Sequence, residues 1–134
     1  MAKIIKLHHL GIAVHDDMAA RSFWEDGLGL KVDHVEDVAS QKSQVIFLPV
    51  GESEVELVKP LSDDSTVAKF IVDRGPGIHH VCFQVDNITE MLKQLKEKNI
   101  RIINEIPMKE EGRLMAFIHP KSTGGVLVEL YEVL

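Results

Sequence analysis

Residues 9–14 read His9-Leu10-Gly11-Ile12-Ala13-Val14, and residues 80–85 read His80-Val81-Cys82-Phe83-Gln84-Val85. Both follow the pattern histidine, apolar, any, apolar, any, valine, and they stand 71 positions apart. Each leads into an acid-rich helix start. Asp16-Asp17 precedes a segment running to about Leu28, and Asn87-Ile88-Thr89-Glu90 reads as an asparagine cap answered by a glutamate. Each half also closes on valine-glutamate-leucine, at Val55-Glu56-Leu57 and Val128-Glu129-Leu130, 73 positions apart. Two dissimilar segments recurring at nearly one spacing mark a duplicated module.

Working outward, the hydrophobic period switches from strand to helix and back within each half. Residues 5–14 alternate, a helix follows, and Gly29 breaks it. Strands are expected near 30–37, 44–50 and 53–59, with Gly51-Glu52 as the turn between the last two. The second half predicts a strand over 79–85, a helix over 88–98, and strands near 101–104, 113–118 and 125–131. Asn99 suits the stop of the second helix. The fold class is therefore α+β: two tandem βαβββ modules forming a cupped mixed sheet. One domain spans 1–134, with module 1 at about 4–59, a linker at about 60–76 and module 2 at about 77–133. Val67 to Val72 is expected to form a helical turn inside the linker.

The totals narrow the function. At 134 residues, 45% apolar and 27% charged, the chain is an ordinary globular domain. A net charge of −6 argues against nucleic-acid and anionic-membrane partners, which require a basic surface. Cys82 is the single cysteine, so no intrachain disulfide or thiolate cluster forms. The first residues lack the apolar run of a signal peptide and no stretch is long enough to span a bilayer, so a cytoplasmic location is expected.

Strand phase then selects residues. Side chains alternate between faces, so His9 shares a face with Leu7, Gly11 and Ala13, opposite Leu10, Ile12 and Val14. His80 shares its face with Cys82 and Gln84, opposite Val81, Phe83 and Val85. Glu56 and Glu129 each alternate with flanking apolar neighbours. Taken alone, each is an ordinary strand residue; the repeat relates all four jointly. His9, Glu56, His80 and Glu129 are the expected ligands of one divalent metal ion. Mixed nitrogen and oxygen donors suit cobalt, zinc, nickel or manganese better than a thiophile or calcium. His8 and His79 also match across the repeat, in the apolar phase, and read as strand-end packing or as groups behind the ligands. Cys82 reads as a small buried hydrophobe.

Four stretches carry a resemblance: His9 to Val14, Asp63 to Phe70, Gly77 to His80, and His119-Pro120-Lys121-Ser122-Thr123-Gly124-Gly125 through Leu130. Together they resemble the methylmalonyl-CoA epimerase family of the vicinal oxygen chelate superfamily, along essentially the whole chain. The resemblance implies one divalent metal per chain, often cobalt, at His9, Glu56, His80 and Glu129, and a homodimer. It implies an acyl-CoA substrate whose α-proton is removed and returned through a metal-stabilised enolate, interconverting the R and S epimers of methylmalonyl-CoA. Some family members carry a catalytic glutamate on the third strand, but Gln41-Lys42-Ser43-Gln44-Val45 contains no acid. Gln44 and Val45 are expected to line the cavity there, with Glu129 also handling a proton. Lys121, with Arg113 and Lys109, offers positive charge for coenzyme A phosphates. The alternatives are a glyoxalase I-type lactoylglutathione lyase on the same scaffold, or a non-catalytic small-molecule-binding module. The Lys121 to Gly125 turn favours the epimerase over the lyase, and the matched ligands disfavour the module.

Overall fold

The structure, a computed structural model, describes residues 1–110 and 112–134. The elements run β1 (Ile4–Ala13), α1 (Asp17–Arg21), β2 (His34–Val38), β3 (Ser43–Val50), β4 (Ser53–Pro60), α2 (Thr66–Arg74), β5 (Gly77–Val85), α3 (Ile88–Glu97), β6 (Met108–Glu110), β7 (Arg113–Ile118) and β8 (Leu127–Val133). This is βαβββ twice, with α2 in the connecting segment. The chain forms two compact units, one of Met1–His9 with His80–Leu134 and one of Leu10–His79. Among the described residues, no helix is long and apolar enough to cross a membrane.

In the unit of Met1–His9 with His80–Leu134, β5 pairs in parallel with β8, β8 antiparallel with β7, and β7 antiparallel with β6. A parallel pair requires a long crossover, which the chain from α3 to β7 supplies. Asn87 caps α3 by accepting from the Glu90 N–H, and Glu132 accepts from the Ile88 N–H at 2.7 Å. The helix buries Ile88 and Leu92 against Val85, Ala116, Ile118 and Leu130. Each such leucine or isoleucine contributes about 1.5–3 kcal/mol. The first residues are tied in by Lys3, which donates from its backbone to Asp86 and accepts from the Asp86 N–H.

In the unit of Leu10–His79, β2, β3 and β4 form an antiparallel meander, with Val45 opposite Val58 and Phe47 opposite Glu56. Gly51 turns the β3–β4 hairpin at a φ of 58°, which a side chain would resist. One strand face packs Ile46, Leu48, Val55 and Leu57 against Ala20 and Trp24. The other packs Ala13, Val45 and Val58 against Val67 and Ile71 of α2.

Four expected spans differ. The strand expected at 30–37 begins only at His34, because Leu30 and Val32 pack sideways into the Trp24 cluster. The first helix is α-helical only to Arg21 and π-helical over Ser22–Gly27, with Leu28 N–H bonding to the Phe23 carbonyl. No ladder forms over 101–104. There the Asn104 side chain accepts from Phe117 N–H at 2.7 Å and donates to the Met115 carbonyl at 3.3 Å. It takes the place of a backbone partner, so only the Ile102–Ile118 bridge survives and the short β6 pairs further on. The linker turn is a full helix, α2, capped by Ser65, which accepts from the Ala68 N–H.

Candidate metal centre

The parallel register of β5 and β8 sets Cys82 beside Glu129 and Gln84 beside Tyr131. Paired residues share a face, so His80, Cys82, Glu129 and Tyr131 lie on one side of these strands. His9 closes the Met1–His9 segment of the same unit. Its Nε2 lies 3.1 Å from His80 Nε2. Glu129 Oε1 is 3.5 Å from His9 Nε2 and 3.7 Å from His80 Nε2. Three donor atoms thus converge, two neutral-capable nitrogens and one carboxylate oxygen.

Those separations lie within or a few tenths of an ångström above what a shared ion imposes. Donors about 2.1 Å from a common divalent metal stand about 3.0–3.4 Å apart, depending on geometry. The same three groups without a metal make a costly cluster, because Glu129 is only 5% exposed and His9 2%. Burial raises the Glu129 carboxyl above its ordinary range, against the opposing pull of His80, the Tyr131 hydroxyl, Arg113 and His8. The donor chemistry matches the intermediate divalent ions expected from sequence.

Behind the donors sits a second layer, in which the sequence offered His8 as one reading and did not name Tyr131. His8 Nδ1 lies 2.8 Å from His9 Nδ1, with the two rings edge to face at 76°. Burial, then His9, lower the His8 imidazole to about 4, so it is neutral near pH 7. The Tyr131 hydroxyl donates to the Glu129 carboxylate, and its ring packs against His8 at 4.8 Å. Arg113 covers that ring at 5.0 Å and pairs with Glu110 at 3.1 Å. Cys82 is fully buried with Met115 and Tyr131, as a small hydrophobe would be. Strand phase could have named Tyr131, two residues from Glu129; for His8 the phase rule points the wrong way.

The other expected residues are each placed by their own strand or turn. Glu56 is buried on β4 opposite Phe47, in the phase of Val58 rather than of Leu57. A carboxylate so placed requires a compensating cation or donor. Gln44 does not share that face. It belongs to the phase of Ile46 and Leu48, and its amide donates to Asp37 at 2.9 Å near the strand's exposed end. Val45 shares the Glu56 phase, but α2 covers it, and it is 8% exposed. Adjacent strand residues alternate between faces, and here Gln44 turns towards Asp37 while Val45 packs under α2. Lys121 is exposed on the turn after His119, whose Nδ1 accepts from the Lys121 N–H at 3.0 Å.

Comparison with known proteins assigns this centre to a family. Residues 8–117 match the Glyoxalase/Bleomycin resistance protein/Dioxygenase superfamily. Over 132 residues the chain is 39% identical to the mitochondrial methylmalonyl-CoA epimerase of Mus musculus, covering 97% of this chain and 74% of that protein. It is 35% identical over 132 residues to the ethylmalonyl-CoA/methylmalonyl-CoA epimerase of Cereibacter sphaeroides, covering 96% and 98%. The chain belongs to the methylmalonyl-CoA epimerase family. The crystal structure of the Mycobacterium tuberculosis methylmalonyl-CoA epimerase matches it with a TM-score of 0.86 at 34% identity, over 98% of this chain and 89% of that one.

Proposed function

We propose that this epimerase acts on methylmalonyl-CoA and requires one divalent metal ion. The carrying observation is the convergence of His9 Nε2, His80 Nε2 and Glu129 Oε1 within 3.7 Å in a buried site. Glu56 is the fourth ligand on the strength of the repeat, as the counterpart of Glu129. Cobalt leads the candidates, with zinc, nickel and manganese behind it. When bound, the ion supplies Lewis-acid stabilisation to the negative charge that develops as the thioester loses its α-proton. Four protein ligands leave room in an octahedral ion for a chelating substrate.

The residues divide the remaining work. His9 and His80 would each hold the ion through Nε2. Glu129 is the group we assign to accept the α-proton on one face. Tyr131 holds the Glu129 carboxylate by its hydroxyl hydrogen bond. Return of a proton to the opposite face completes the inversion. Lys121, exposed beside the His119-Pro120 turn, is the proposed contact for coenzyme A phosphate. The relatives' substrates and a cytoplasmic homodimer complete the reading.

The test is proton exchange. In deuterium oxide, one epimer of methylmalonyl-CoA should acquire deuterium at the α-carbon as the other epimer forms, and a chelator should stop exchange and epimerisation together. Metal-dependent turnover of the glutathione–methylglyoxal hemithioacetal, with no exchange on the CoA thioester, would overturn the reading in favour of a lyase.

A further inference from the structure

A histidine that binds a metal through Nε2 must carry its proton on Nδ1, and something must accept that proton's hydrogen bond. In this chain a third imidazole nitrogen takes that place. It is the Nδ1 of the neighbouring His8, at 2.8 Å. A contact that short between two imidazole nitrogens holds one proton. If His8 held it, the proton of neutral His9 would sit on Nε2, and the ring could not ligate. If His9 holds it, Nε2 is bare and aimed at His80 Nε2 and Glu129 Oε1.

We infer that His8 is a positioning residue for the metal: its Nδ1 accepts the Nδ1–H of His9 and fixes the tautomer that leaves His9 Nε2 free to ligate. The inference rests on the reading of His9 as a ligand. His8 is itself held. Its ring packs on Tyr131 at 4.8 Å, Tyr131 lies under the Arg113 guanidinium at 5.0 Å, and the Tyr131 hydroxyl bonds Glu129. One His8–Tyr131 pair therefore orients two of the proposed ligands, each through its own hydrogen bond. A neutral imidazole acceptor also withdraws less of the His9 proton than a carboxylate would, leaving His9 a weaker donor and the ion a stronger Lewis acid.

Two substitutions separate orientation from packing. His8→Asn loses the ring but can place an amide oxygen where Nδ1 sits. His8→Phe keeps a ring against Tyr131 and has no acceptor. In chelator competition with zinc, His8→Phe should bind about 10- to 100-fold more weakly than wild type, and His8→Asn within about threefold of it. A packing role predicts the reverse order. In zinc-loaded wild-type protein with 15N-labelled histidine, His9 should be protonated at Nδ1 and show a 15N–15N scalar coupling to His8 across the hydrogen bond. That measurement stands even if His8→Phe does not fold. His9→Ala is the control for the underlying reading and should lose zinc. Tight zinc in His9→Ala would overturn the ligand assignment and this inference with it. Loss of zinc from His9→Ala, with wild-type affinity in His8→Phe or no coupling in wild type, would overturn the inference alone.

Discussion

His9 and His80 meet with their Nε2 atoms 3.1 Å apart although 71 residues separate them in the chain. Glu129 Oε1 completes the group at 3.5 and 3.7 Å. Such a cluster makes sense as a set of donors awaiting a cation.

Removing a donor should therefore remove the ion before it removes the fold. His80→Ala and Glu129→Gln are each expected to weaken metal binding by more than about 100-fold, beyond the range for groups that only orient a ligand. Metal analysis after gel filtration, beside far-ultraviolet circular dichroism, reads both effects. Stoichiometric tight metal in either variant would sink the assignment.

Glu129 also gives the metal-free protein a pH signature. Burial raises its carboxyl in the folded chain above the ordinary 4.5, so the protonated form is favoured by folding. The stabilisation is complete below about pH 4.5 and is lost as pH rises through the folded value. Chelator-treated wild type should lose thermal stability over that rise relative to Glu129→Gln. Parallel melting-temperature curves for the two proteins would contradict the burial argument.

Val45 supplies a test of strand phase. Because it packs among Val58, Val67 and Ile71, Val45→Glu should bury an uncompensated charge and cost about 3–5 kcal/mol. The urea midpoint reports this directly. An unchanged midpoint would place Val45 in a solvated cavity instead of under α2.

Ser43 is expected to respond in the opposite sense. Its hydroxyl is fully buried on β3 and has no hydrogen-bond partner among the described residues. Ser43→Ala should be neutral or stabilise by about 1 kcal/mol, since it deletes an unsatisfied polar group. A marked loss in the urea midpoint would reveal a partner, such as a bound water.

Lys121 tests the proposed substrate contact. An exposed cation–phosphate contact is worth up to about 1 kcal/mol, so Lys121→Ala should raise the KM for methylmalonyl-CoA roughly fivefold, with the larger effect on KM than on kcat. Steady-state kinetics at two ionic strengths would check it. A KM unchanged at low salt would remove Lys121 from the site.

The amino-acid sequence by itself determined the two βαβββ modules and the residues worth watching. Periodicity is local, the helix starts carry their own caps, and a duplication writes the same histidine and glutamate twice. His80 and Glu129 were legible because strand alternation ties each to a face, and the β5–β8 register then brings those faces together. Contacts between non-adjacent strands are a different matter. Only the tertiary structure decided that α2 covers Val45, that the Asn104 side chain ends the ladder expected at 101–104, and that Gln44 turns towards Asp37. It alone brought Tyr131 to Glu129 and His8 to the far nitrogen of His9. Alternation predicts that neighbours in a strand point apart, and His8 breaks that rule. Its ring direction is set by packing on Tyr131, a residue far along the chain that local sequence patterns do not register.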